Sequence, residues 1–226
     1  MAILILVAGP VNAATQVIVE SYGDSTSLGL QTVNGKLVIS PNNEPARLQG
    51  LLRDLISPNI TVKNEGVGGT EAWQLLTGND GKHLPWAQQM AQSPAQIVIL
   101  NFLLNDQYLV DHPKPGVWQE RPSDYIYFLA QLVNGARDAG KTVVLYEPNP
   151  TNGFQNSRFM EYLSCLRYVA ANMNVPLVKN VDQILAQPNW QTMLSEDNIH
   201  PNDALYLMKA QFAFPVVAPL VHQYLK

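Results

Sequence analysis

The sequence predicts an α/β fold, a three-layer α/β/α sandwich on about five parallel strands, and three observations carry that expectation. Short apolar, β-rich runs alternate with amphipathic helical patterns along the whole chain, the order that builds a parallel sheet with helices on both faces. The 226 residues suffice for a core that needs neither disulfides nor a metal. Apolar side chains make up 46% of the chain and charged ones only 14%, a globular composition.

Residues 1–14 begin the chain with an apolar stretch, Ile3 to Ala14, ending in the small residues Val11-Asn12-Ala13-Ala14. This resembles the end of a secretory signal peptide, which predicts a secreted or periplasmic protein. The basic start of such a peptide is missing, since the first Lys or Arg is Lys36, so a structured N-terminus of a cytoplasmic protein is the alternative. The stretch is too short to span a bilayer, and no other segment is expected to reach the roughly 20 residues required. No repeat, linker or low-complexity tract follows, and residues 15–226 are read as a single domain.

Strands are expected at Gln16 to Glu20, Thr61 to Lys63, Gln96 to Phe102, Thr142 to Tyr146 and Val175 to Val178. Between them, Leu48, Leu51, Leu52 and Leu55 recur at helical spacing and define one apolar face. A second helix is expected from Ser123 to Ala139, stopped by Gly140, and a third from about Ser157 to Met173. The proline-rich run from His112 to Pro122, with Trp118, reads as a surface loop, bulky for a simple connection. A last helix begins at Asp203, and Pro215 and Pro219 should kink or interrupt it. The single cysteine, Cys165, sits among Phe159, Tyr162, Leu163, Leu166 and Val169, where a buried core thiol is expected. One cysteine allows no disulfide framework and no paired-cysteine metal site. With 14 basic and 18 acidic side chains, a net charge of -4 and no basic run, nucleic acid is not an expected partner.

The chemistry lies in four loops that all follow strands, and strand-to-helix loops of a parallel sheet open on one edge, where ligands bind. After the first strand comes Tyr22-Gly23-Asp24-Ser25-Thr26, a polar turn that on its own is an ordinary one. After the second comes Asn64-Glu65-Gly66-Val67-Gly68-Gly69-Thr70, whose glycines let backbone N–H groups approach a ligand or simply make a tight connection. It lacks the Lys-Ser/Thr ending and spacing of a P-loop. The third strand ends in Asn101-Phe102-Leu103-Leu104-Asn105-Asp106, where Asn105 is a side-chain donor or a cap. Near the C-terminus, Asp197 precedes His200 by three residues, a spacing that brings a carboxylate onto Nδ1 and leaves Nε2 free to take a proton. His83, His112 and His222 have no carboxylate at such a spacing in an equivalent loop and are read as surface residues. Together the loops meet the needs of a serine nucleophile: a base, an orienter for the base, and donors for the oxyanion.

On these residues the chain resembles the SGNH hydrolases, the GDSL-type esterases and lipases. Gly23-Asp24-Ser25 matches the first family block, Asn64 to Gly69 the second, Asn105-Asp106 the end of the third, and Asp197-x-x-His200 the fifth. The resemblance implies a flavodoxin-like strand order, with Ser25 as nucleophile, His200 as base and Asp197 as its orienter. Ser25 N–H, Gly69 N–H and the Asn105 amide would be the oxyanion donors. Two departures stand out: Leu103 replaces the usual glycine of the third block and could crowd the pocket, and the first block continues Thr26-Ser27-Leu28. A Gly-x-Ser-x-Gly elbow is absent, which disfavours the α/β-hydrolase fold. Trp73, Tyr108, Trp118 and Glu147 to Asn149 are expected in or near loops of the catalytic edge.

The predicted function is therefore a serine esterase that cleaves short-chain acyl esters, acetyl among them, of small molecules or glycans through an acyl-enzyme on Ser25. No cofactor or metal is needed. The alternatives are an O-acetyltransferase acting on a glycan and a non-catalytic carbohydrate-binding module of the same fold.

Overall fold

A computed structural model describes residues 16–225; the segment read as a signal peptide or structured N-terminus lies outside them. In chain order the elements are β1 (Val17–Gly23), α1 (Ser25–Leu28), β2 (Leu30–Val33), β3 (Lys36–Ile39), α2 (Glu44–Leu55), β4 (Ile60–Asn64), α3 (Ala72–Thr77) and α4 (Trp86–Gln92). Then follow β5 (Ile97–Asn101), α5 (Leu104–Asp111), α6 (Pro122–Asp138), β6 (Thr142–Tyr146), α7 (Phe159–Asn172), β7 (Leu177–Val178), α8 (Asn180–Leu185) and α9 (Asp203–Tyr224).

Five strands form one sheet in the order β4-β1-β5-β6-β7, every neighbouring pair parallel. Counted within the sheet this is 2-1-3-4-5, the flavodoxin-like order, and the chain reverses direction at β1. Strand periodicity divides the core into two layers. Val17, Val19, Ile97, Ile99 and Val144 pack with Leu48 and Leu52 of α2 and with Ala210, Ala213, Val217 and Val221 of α9. Tyr22, Val98, Leu100, Val143 and Leu145 pack on the other face against α3, α4, α6 and α7. All five expected strands and the four expected helices are present, with ends shifted by a few residues. Leu55, however, points to solvent at the end of α2, and Cys165 is half-buried at the margin of its layer.

Two expectations about α9 fail for one reason. The helix runs through Pro215 and Pro219 without a break, because its apolar face fills the core layer and that burial outweighs the lost backbone bonds. It is also long and apolar enough, by length and composition, to cross a membrane, contrary to the expectation that no segment beyond residues 1–14 would be. Its buried face carries Lys209, whose Nζ lies 2.8 Å from Glu44 Oε2 of α2, an ion pair without the alignment of a hydrogen bond.

Neither the short helices α1, α3, α4, α5 and α8 nor an antiparallel ribbon was foreseen. β2 and β3 pair antiparallel as a separate ribbon closed by Asn34-Gly35, with φ of 52° and 69°. Left-handed backbone at both turn residues defines the tight hairpin that Asn-Gly favours, so the dipeptide between two alternating runs was the signal.

Candidate active site

Ser25 is the first residue of α1, directly beyond β1 at the point where the strand order reverses. Gly23 is required there, since a Cβ would lie 2.2 Å from Ser27 Oγ and 2.5 Å from Asn101 O. Asp24 caps the turn, its Oδ1 accepting Thr26 N–H and Thr26 Oγ1–H at 2.8 Å each. Asn101, at the end of β5, donates to Ser27 Oγ at 3.0 Å and ties the turn to the neighbouring strand. As a first-turn residue, Ser25 has an N–H without an intrahelical acceptor.

The glycine loop after β4 lies beside it. Val67 N–H donates to Gly23 O at 2.9 Å, and Gly69, exposed to the cleft, has the left-handed φ of 77° that glycine accepts freely. Asn105, near the start of α5, donates one amide proton to Thr70 O at 3.0 Å, which leaves the second for a ligand. Leu103 does not crowd the pocket: it is fully buried in the core layer beneath it.

Asp197 and His200 sit on the loop before α9. His200 Nε2 is 2.9 Å from Ser25 Oγ, and His200 Nδ1 is 2.8 Å from Asp197 Oδ2. Asp197 Oδ1 accepts the N–H groups of Ile199 and His200 at 2.8 Å and Ser195 Oγ–H at 3.1 Å. Oδ2 also accepts Thr32 Oγ1–H at 2.5 Å. Burial alone would raise the Asp197 carboxyl, but the hydrogen bonds from Thr32, His200 and Ile199 hold it far below the ordinary carboxylate range. Asp197 is therefore held as a carboxylate.

All five predicted residues meet at one site. Ser25, Gly69, Asn105 and His200 line a cleft of about 470 Å³, and Leu30, Leu37, Leu104, Tyr108 and Ile199 add apolar walls. Of the other residues expected near it, only Tyr108 lines this cleft. Trp73 donates its indole N–H to Glu71, and Trp118 is exposed beside a surface depression with Arg121 and Asp124. Glu147 is buried in an ion pair with Arg167. Asn149 donates to Ile199 O at 2.9 Å, so it braces the His200 loop from beneath. His83 is not a surface residue. It is buried edge-on to Tyr22 and its Nδ1 is 2.6 Å from Asp80 Oδ2, the same three-residue spacing as in Asp197 and His200. Its Nε2 faces Glu65 at 3.4 Å, away from any serine. His112 and His222 are exposed.

Behind Gly69 and Asn105 lie three carboxyl groups. Asp106 Oδ1 accepts Ala72 N–H at 2.8 Å and Glu120 Oε1 accepts Trp73 N–H at 2.6 Å, pinning the start of α3 just after Gly69-Thr70. Burial first, and then the charges of Glu71 and Asp24 for Asp106 and of Asp106 and Glu71 for Glu120, drive these two carboxyls upward, while burial lifts neighbouring Glu71 to about 7. Among the described residues no group of three or more His, Cys, Asp or Glu side chains is arranged to hold a metal ion.

A hydroxyl, an imidazole and a carboxylate in line at the carboxyl edge of a doubly wound sheet form the arrangement of a serine-dependent hydrolase. The chain belongs to the GDSL-like lipase/acylhydrolase family, which it matches over residues 21–207. Its fold is that of an acetylxylan esterase from Geobacillus stearothermophilus, at 17% identity, a TM-score of 0.70, and coverage of 90% of this chain and 95% of that one. TesA matches at 21% identity, TM-score 0.68, over 90% and 99% of the two chains. LAE5, described as an alpha/beta hydrolase enzyme from the metagenome of Lake Arreo, Spain, matches at 20% identity, TM-score 0.70, over 92% and 98%. No curated protein matches the sequence.

Proposed function

We propose that the chain is a carboxylic ester hydrolase working through an acyl-enzyme on Ser25. The observation that carries this reading is the 2.9 Å approach of His200 Nε2 to Ser25 Oγ at the mouth of a cleft that Gly69 and Asn105 also line. His200 takes the Ser25 proton as Oγ attacks the ester carbonyl carbon. The tetrahedral oxyanion is held by Ser25 N–H, Gly69 N–H and the free Asn105 amide proton. Collapse breaks the bond to the alcohol, which leaves with the proton from His200. Water, deprotonated by the same imidazole, then attacks the acyl-enzyme and releases the acid and Ser25. Asp197 stays a carboxylate throughout and stabilises the imidazolium.

A volume of about 470 Å³ with mostly apolar walls accommodates a short acyl group together with a small or sugar-like alcohol. Ser25→Ala is expected to abolish turnover of p-nitrophenyl acetate and butyrate, and labelling by a fluorophosphonate probe, with an unchanged melting temperature. Retained turnover in that variant overturns the assignment.

A further inference from the structure

Asp197 receives five hydrogen bonds, more than the roughly four lone-pair sites of a carboxylate. Two of the contacts trace to one element. Thr32 Oγ1–H donates to Oδ2 at 2.5 Å, the same oxygen that accepts His200 Nδ1–H. Thr32 N–H donates to Ser195 Oγ at 3.1 Å, and Ser195 Oγ–H in turn donates to Oδ1. At the ribbon turn, the Glu196 carboxylate accepts Asn34 N–H and Gly35 N–H at 2.7 and 2.8 Å. The ribbon is thus fastened to three consecutive residues of the loop that carries the orienter.

The ribbon also faces the cleft. Thr32 pairs directly with Leu37 across β2 and β3, and opposed side chains of an antiparallel pair project from the same face. Leu37 and Leu30, two residues before Thr32, both wall the cleft. One face of a two-stranded ribbon supplies both a wall of the cleft and the donor to Asp197.

We propose that Thr32 is a positioning residue of the catalytic machinery, its hydroxyl fixing the Asp197 oxygen that orients His200. The role rests on the assignment of Ser25, His200 and Asp197 made above. The hydroxyl bond does two things: it restricts rotation of the carboxylate about its side chain, and it shares the negative charge that otherwise falls wholly on the imidazolium.

Thr32→Val removes the hydroxyl and keeps the branched shape, and Thr32→Ser keeps the hydroxyl. With p-nitrophenyl butyrate, Thr32→Val is expected to lower kcat about tenfold and change KM by less than about twofold. Without substrate, the titration midpoint of His200 followed by NMR is expected to rise by about half a pH unit. Thr32→Ser should restore both. If Thr32→Val does not fold, Thr32→Ala against Thr32→Ser gives the same contrast. Wild-type kcat and an unmoved midpoint in the variant without the hydroxyl overturn the proposal, as does a serine variant that is equally impaired. Failure of wild-type Ser25 to react with the fluorophosphonate overturns the esterase reading instead, and the substrate-free titration still decides Thr32.

Discussion

Asp197 is where the charge of the site is stored, and its five donors decide what the residue can do. Its carboxyl is held below the range of an unfolded chain, so its share of stability is present above the ordinary carboxylate pKa and is lost as pH falls toward the folded value. Asp197→Asn keeps the shape but presents the wrong donor to Nδ1, and kcat is expected to fall about 10⁴-fold in steady-state assays. Asn105→Ala removes the amide proton proposed to bind the oxyanion and should cost about 10² to 10³ in kcat, measured with the burst phase to isolate acylation. Ser25, Gly69, Asn105, Asp197 and His200 were legible because each lies in a loop after a strand or at a telling spacing. Thr32 was not: a threonine in a short β run carries no mark of a partner 165 residues away. His83 shows the converse, for the spacing that identifies His200 recurs there and finds Glu65 in place of a hydroxyl.

Elements were legible where periodicity and burial agreed. The central parallel strands β5 and β6 are apolar on both faces and stand out as runs, whereas β3 is exposed throughout, so only its Asn-Gly turn announced it. In α9 the local rule for proline was outweighed by long-range packing, which sequence pattern alone does not weigh. The pairing of α9 with α2 contains a charge in an apolar layer: Lys209 is wholly buried, with Glu44 beside it. Lys209→Met strands that carboxylate and is expected to destabilise the fold by about 3–5 kcal/mol, with much of the loss recovered when Glu44→Gln is added, in urea unfolding. On the ribbon, Leu37→Ala removes a cleft wall without touching Asp197 and should raise KM several-fold at nearly constant kcat.

Across the whole molecule, the parallel sheet and its two covering layers followed from alternation and the strand order from the family resemblance, while the acid cluster at Glu71, Asp106 and Glu120 followed from neither, because three scattered carboxylates give no hint that folding gathers them. Their raised pKa values set a trend opposite to that of Asp197. A carboxyl lifted on folding contributes stability below its unfolded value, here 4.5 for Glu71, and loses it as pH rises through about 7. Folding free energy is therefore expected to decline from about pH 5 to pH 8, and Glu120→Gln should flatten the curve while its amide oxygen still accepts Trp73 N–H.

The hydrogen bond between Ser25 and His200 joins residues separated by 175 positions in the chain. Contacts of such sequence separation form late, after nearby segments have found each other, because closing so long a loop is entropically costly. Reactivity at Ser25 thus reports completion of the entire sheet. In refolding experiments the helical circular-dichroism signal should return first, and fluorophosphonate labelling only when the last helix has docked and carried His200 to the first turn.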